Sequence, residues 1–555
     1  VRNTIFILLG FILFSCFESN ESQSVGADYI FKNGKVYTVN DSLDWAEAVA
    51  VKGDSIVFVG SDKAVMQWLS DSTEVIDLKG KMMLPGFIQS HVHLTFGAAF
   101  AQGVWLADLE TEEEFVEKLS TYLKENRQLG NIRGFGWKKF AFDSKGPNKS
   151  ILDALDSLRP IELFDITGKS SWVNSKALDS AGLNSGSQGL ALEGFHFDAN
   201  GELTGLIDGV DGAFKVSNAI DSFNIDYLSV GLDTWIPAFS RAGITTLFDP
   251  SFVTIKDQFK SLKILANLDK ENRLPFRIVG SYKIDPEHKD FIEKISSENA
   301  KYSSLKAYAN VLKIEVDGSV REVLGNMKPF LSQADLNDLV LEGFKNELNI
   351  HFHANAASSV KMVLTALELA REQFPNKDIR TSLAHTFLVD PADIPKFKSV
   401  GLVASFAGNW FGPDYFNNQI LQPKRSKAKL AYNINSFHKA GVRVTLGSDW
   451  PFSASMSTMK ILPQIEMVHT RQVLGRAKGS ILNPMDQRLE LVAAIQAATI
   501  NGAYQLQLED QIGSIEVGKK ADLVVINKNI FEIEPNAIHK LKVEMTMSYG
   551  EIVYE

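Results

Sequence analysis

The fold class this sequence predicts is α/β: a (β/α)8 TIM-like barrel with a small composite β-sandwich built from both chain ends. Three observations carry that expectation. Apolar strand-like runs alternate with helical patterns across residues 85–508, which implies a parallel sheet, and at that length a closed barrel outranks a doubly wound one. β-rich runs broken by Asn-Gly and Gly-Asp open the chain, and similar runs return only at its far end. Several apolar runs between them end on a residue able to bind a metal. The 555 residues are 45% apolar and 22% charged, the composition of a globular protein with room for a large core.

In chain order, VRNTIFILLGFILFSC comes first, with Arg2, an apolar stretch from Ile5 to Phe14 and Ser15 ahead of Cys16. The stretch is too short to span a bilayer comfortably, so residues 1–15 are expected to be a signal peptide of lipoprotein type. LFSC resembles a bacterial lipobox, although Phe14 is bulkier than usual there. It implies cleavage before Cys16, lipidation of the thiol and a lipid-anchored place in the bacterial cell envelope, periplasmic or on the outer membrane side. Residues 16–26 are then a polar tether. Cys16 is the only cysteine, which excludes an intramolecular disulfide and a thiolate metal cluster. Any metal must use nitrogen and oxygen ligands.

Residues 27–84, with ADYIFKNGKVYTV and AVAVKGDSIVFVG, supply the N-terminal part of the sandwich, and residues 509–555 supply the C-terminal part. The barrel is assigned to residues 85–508, where TEEEFVEKLSTYLKEN has the acidic first turn of a helix. The Gly-x-Gly of RGFGW lacks the dinucleotide spacing and is discounted as a phosphate site. A formal charge of -10 and the absence of a Lys/Arg block argue against nucleic acid as a partner.

GFIQSHVHL, residues 86–94, raises the chemical question. If it is a strand, His91 and His93 project from one face near its end, as a chelate would require. Four later apolar runs end in the same manner: VLKIEVDG with Lys313, LNIHFHAN with His353, TSLAHT with His385 and VRVTLGSDWP with Asp449. Any one of these residues alone is more often an ordinary core or surface group. Lys313 by itself could equally reach solvent or pair with Glu315 or Asp317. A parallel barrel, however, opens every strand's C-terminal end onto one face and would gather all six into one site. Imidazole and carboxylate suit zinc, and a buried lysine of depressed pKa can take up CO2 as an anionic carbamate. His351 shares the strand face of His353 but lies deeper, and its expected role is core packing.

LPGFIQSHVHL, GSDWP and IGSIEVGKKADLVVIN resemble the amidohydrolase superfamily. GFGW, WVNSKAL, GELTGLID, VLKIEVDG and HAN follow in the order of its YtcJ-like branch, the amidohydrolase 3 family, so that the resemblance covers the whole mature chain. It implies hydrolysis of an amide-like, non-peptide C-N bond of a small molecule by a metal-bound hydroxide, with one or two divalent ions, zinc expected. By the same resemblance His91 and His93 bind the first metal, a carbamylated Lys313 bridges, His353 and His385 bind the second, and Asp449 both binds metal and handles protons. The alternatives on the same barrel are a catalytically impaired, lipid-anchored binding protein and a deaminase or isomerase.

The chain departs from the family at Gln89, usually Asp; at Thr167-Gly168-Lys169, usually Asp-Gly-His; at Ala356-Ala357, usually Gly-Asp; and at Ala384, usually Glu. Losing a carboxylate that orients a histidine ligand lowers metal affinity about 10- to 100-fold. Lys169 either meets an anionic group of the substrate or stands in water. Trp137 and Trp450 either wall the pocket or pack.

Overall fold

The computed structural model describes residues 26–100, 103–183, 194–220, 226–252, 258–284, 286–288, 290–318, 328–413, 417, 430–453 and 457–555. Cys16, the signal peptide and nearly all of the expected tether lie outside the described residues. Among the described residues no helix is long and apolar enough to cross a membrane.

Eight parallel strands form the barrel: β1 (Phe87–Gln89), β2 (Ile244–Asp249), β3 (Arg277–Ile284), β4 (Ala307–Glu315), β5 (Asn349–His353), β6 (Thr381–Ala384), β7 (Leu402–Ala407) and β8 (Val444–Gly447). Each pairs with the next in sequence, and the Ser90 amide donates to the Leu446 carbonyl at 3.1 Å to bring β8 back to β1. Helices cover the outside, so the strands are buried on both faces and read as nearly unbroken apolar runs.

Inside, Ile88, Phe248, Val279 and Val311 pack on Ala503 and Leu506 of the C-terminal helical segment, which plugs one end of the barrel. Gln505 anchors that plug, donating to the Ser90 carbonyl at 2.9 Å and accepting from the Thr445 hydroxyl at 2.7 Å. Two residues further along the same inward face of β4 comes Lys313, in register with His351 of β5, which is in register with Ser382 of β6. The apolar end is thus stoppered, and the polar end opens where the strands terminate.

Strands at Lys35–Tyr37, Trp45–Ala46 and Met82–Pro85 share one six-stranded sheet with Leu523–Ile526, Val543–Ser548 and Glu551–Tyr554. A four-stranded sheet from the N-terminal part packs on it, burying Phe31, Val49 and Val51 against Leu523, Val525 and Met547. Arg277, at the start of β3, ties this unit to the barrel. It is buried, donates to Asp522 at 3.1 Å and to the Thr246 hydroxyl at 2.7 Å, and lies over the Tyr549 ring.

The span from 85 to 508 holds more than a barrel. Between β1 and β2, strands from Val104 to Asp208 form a separate mixed sheet of six, with its own core of Phe115, Leu119, Ile132, Trp137 and Trp172. Its helix Glu112–Glu125 begins at a capping box, Thr111 accepting from the Glu114 amide while the Glu114 carboxylate accepts from the Thr111 amide. Short buried strands of a mixed sheet and of a parallel barrel look alike by periodicity, which is why the sequence does not separate the two units.

Candidate metal centre

β1 ends at Gln89, so His91 and His93 lie in the turn beyond it rather than on a strand. They still converge, because this turn is laced to the one that follows β8. The Asp449 amide donates to the His91 carbonyl at 2.9 Å, and the His93 amide donates to the Trp450 carbonyl at 2.7 Å. Gln89 straps the same turn from below, its Oε1 accepting from the Ser448 amide at 2.9 Å while its Nε2 donates to the Met459 carbonyl. Gly447 permits the approach, since a β-carbon there would lie 2.5 Å from the His91 amide nitrogen. Asp449 (φ 58°) and His385 (φ 61°) both adopt left-handed backbone, a conformation that costs non-glycine residues energy and that clusters at functional sites.

The result is a compact donor set. Asp449 Oδ1 stands 3.1 Å from His91 Nε2 and 3.3 Å from His93 Nε2, and the three ligand atoms all lie within 4.8 Å of one another. His91 Nε2 is buried and makes no hydrogen bond among the described residues. Two imidazole nitrogens and a carboxylate oxygen, close together and without an aligned hydrogen bond at His91 Nε2, fit a divalent ion of the zinc type. Burial pushes His91 down to about 3, which keeps the ring neutral, with a lone pair on one of its two nitrogens. Burial alone would raise the Asp449 carboxyl, but the close approach of His385, His91 and His93 outweighs it and holds the group well below the usual carboxylate range.

The other three expected ligands sit at the same end of the barrel. The His353 Nδ1–H donates to the Asp317 carbonyl at 2.9 Å, which leaves the lone pair on Nε2, where the Asn355 side-chain amide donates at 3.3 Å. The His385 ring is 5.2 Å from that of His353 and 5.0 Å from that of His91, and it stacks on Trp410. Lys313 is buried, and desolvation pushes its ammonium down to about 8 against the opposing pull of Glu315 and Asp449.

Several sequence readings need correction. Trp137 does not wall the site: it is buried in the core of the added sheet, its indole donating to the Leu163 carbonyl at 2.7 Å. Trp450 is also buried, its ring packed against Trp235 and Phe239 on the outer face of the barrel. His351 is more than core packing, since it bonds directly to His91. Lys169 is half-buried, on a turn whose Gly168 packs on Phe452, and Phe452 meets His93 edge-on at 4.9 Å. The turn therefore borders the site through Phe452.

Three neighbours escaped the sequence reading, Trp410, Phe452 and Asp249, and Asp317, weighed there only as a partner of Lys313, stands beside His353. Asp249, buried at the end of β2, accepts from the Thr95 amide at 2.9 Å and hydroxyl at 2.8 Å, and burial raises its carboxyl to about 6 even though His93 opposes the shift. Asp249 and Asp317 both close an apolar strand run, the same signal that marked Lys313 and His353.

A parallel barrel with histidines and an aspartate converging beyond its strand ends is an arrangement able to hold a divalent ion. Residues 74–554 match the model of the Amidohydrolase family, and the chain belongs to that family. It is 25% identical to the N-substituted formamide deformylase of Arthrobacter pascens, covering 95% of this chain and 98% of that one. It is 24% identical to the putative amidohydrolase YtcJ of Bacillus subtilis, covering 95% of this chain and 99% of the relative. Among solved structures, an uncharacterized metal-dependent hydrolase from Pyrococcus horikoshii shares the fold with a TM-score of 0.72 at 18% identity, over 91% of this chain and 99% of that chain.

Proposed function

We propose that this protein is a metal-dependent hydrolase of an amide-like, non-peptide C-N bond in a small molecule. The observation that carries the reading is the convergence of His91, His93 and Asp449, in a chain of the Amidohydrolase family, with His91 Nε2 buried and unbonded. A divalent cation, zinc by its donor set, would be held by these three, with Lys313, His353 and His385 placed to hold a second; it would polarise the scissile group and acidify water. The depressed Lys313 amine is open to carbamylation, which would turn a repelling ammonium into an anionic ligand.

Asp449 does the proton work. Its ionised carboxylate accepts the proton of the attacking water and returns it to the leaving nitrogen, which is too basic to depart as an anion. His91 and His93, fixed by the paired turns, flank that carboxylate at 3.1 and 3.3 Å. Trp410 stacks on His385 and Phe452 meets His93 edge-on, so both rings line the histidine cluster.

The full-length similarity to a formamide deformylase sets where the substrate search begins. Zinc-loaded protein should hydrolyse a member of a panel of N-formyl and N-acyl amines and cyclic amides. Asp449→Asn should lower that turnover by about 10² to 10⁴ while retaining most of the zinc. A wild-type protein that binds zinc and hydrolyses no member of the panel defeats the reading.

A further inference from the structure

We propose that His351, backed by Ser382, is the positioning residue that sets the tautomer of His91 and thereby governs how tightly the site holds a divalent cation. The proposal rests on His91 serving as a metal ligand.

Three side chains form an unbroken buried row. His91 Nδ1 lies 2.9 Å from His351 Nε2, and His351 Nδ1 lies 2.7 Å from Ser382 Oγ. His351 is fully buried and Ser382 nearly so, and the register of β5 with β6 sets the two level with each other. The Phe248 ring meets His351 edge-on at 5.0 Å. The imidazole therefore spans the distance between the expected ligand and a hydroxyl on the next strand but one from Lys313.

With both rings neutral, this row has two proton arrangements. In the first, His91 carries its hydrogen on Nδ1 and donates it to His351 Nε2, while His351 carries its hydrogen on Nδ1 and donates it to Ser382 Oγ. His91 Nε2 is then a bare lone pair facing Asp449. In the second, each hydrogen sits on Nε2: Ser382 donates to His351, His351 donates to His91 Nδ1, and His91 Nε2–H points at the Asp449 carboxylate 3.1 Å away. Only the first can accept a cation.

The nature of the partner makes this a choice. A ligand histidine is ordinarily backed by a carboxylate or a carbonyl, which can only accept and so enforces one tautomer. An imidazole accepts or donates, and a serine hydroxyl does the same. Cation binding must therefore select one of two arrangements, and the affinity depends on how well His351 and Ser382 stabilise it.

The test is zinc affinity, measured by competition with a chromophoric chelator on metal-stripped, folded protein, for wild type, His351→Phe, His351→Gln and Ser382→Ala. Phenylalanine fills the space without an acceptor, whereas glutamine keeps an oxygen for the His91 Nδ1–H. The expected result is a loss of about 10- to 100-fold for His351→Phe, a smaller loss for His351→Gln, and a loss for Ser382→Ala, whose small change keeps the test alive if a His351 variant fails to fold. Core packing alone predicts the reverse order, with phenylalanine tolerated better than glutamine. Equal affinity in His351→Phe and His351→Gln, or unchanged affinity in Ser382→Ala, overturns the proposal while leaving the metal reading intact. Wild-type protein that takes up no zinc overturns both.

Discussion

Replacing Gln89 by leucine would test whether the paired turns depend on a side chain the family does not usually place there. Gln89 is fully buried, and its carboxamide serves two backbone groups at once, the Ser448 amide at 2.9 Å and the Met459 carbonyl. Leucine is close in size, so it opens no large cavity, but it can neither accept nor donate. Each buried backbone group deprived of its partner costs about 1 to 3 kcal/mol. The expected destabilisation is therefore about 2 to 6 kcal/mol, a large share of the 5 to 15 kcal/mol typical of a folded domain. Because Ser448 precedes Asp449, the looser turn should also weaken zinc binding. Urea unfolding followed by tryptophan fluorescence gives the first quantity and chelator competition the second. If Gln89→Leu unfolds within about 0.5 kcal/mol of wild type and binds zinc equally well, the strap has no role and the alignment of the two turns comes from backbone pairing alone.

Glu162 is fully buried, and burial raises its carboxyl from 4.5 to about 7 despite bonds from Ser171 and Ser217. Below pH 4.5 it is protonated whether folded or not; between 4.5 and 7 the unfolded chain ionises first, so this group should cost the wild type about 3 kcal/mol by pH 8, and Glu162→Gln, compared by thermal melts at pH 5 and pH 8, should lack that loss. Gly447→Ala should cost about 1 to 3 kcal/mol by overpacking and reduce zinc content, because its β-carbon would press on the His91 backbone; full metal loading measured by elemental analysis would count against the close approach. Cys16→Ser should release the protein from the membrane fraction or block its processing, and unchanged fractionation would dispose of the lipid anchor.

The barrel and the nearness of the six candidate residues were legible because a parallel barrel converts strand-end positions, which sequence shows, into spatial neighbours, which it does not. His91, His93, Lys313, His353, His385 and Asp449 needed only that one inference to meet. The added sheet was not legible, since GFGW and the Trp-Val that opens WVNSKAL lie on short strands whose period does not say which sheet they join. For Trp137 and Trp450 the sequence left wall and packing both open for a related reason: a large aromatic near a strand end can face either the lumen or the helices, and the choice is made by partners remote in sequence. For Trp450 those partners are Trp235 and Phe239. His351 was visible as inward-facing but not as bonded, because its partner His91 comes from a turn whose path a strand assignment placed differently.

The departures from the family pattern take on a different meaning in three dimensions. Read position by position, Ala356-Ala357 and Ala384 are lost carboxylates. Yet the helix that starts at Ala357 has no acceptor in its own N-cap residue, and the Asp317 carboxylate from the neighbouring strand end accepts from the Asn355 and Ala356 amides at 2.8 Å in its place. That same carboxylate lies 3.6 Å from His353 Nδ1, so a negative charge still stands behind this histidine. His93 likewise has Asp249, held by Thr95, within electrostatic range. At these two histidines a carboxylate therefore stands nearby, supplied from the end of a neighbouring strand. His91 differs: the bond made by its Nδ1 goes to an imidazole. A neutral partner there avoids placing another carboxylate beside Asp449, whose proton affinity must stay low enough to leave it ionised and high enough to take a proton from water. On the proposed mechanism the imidazole row behind His91 would thus spare the base Asp449, at the cost of a less firmly enforced His91 tautomer.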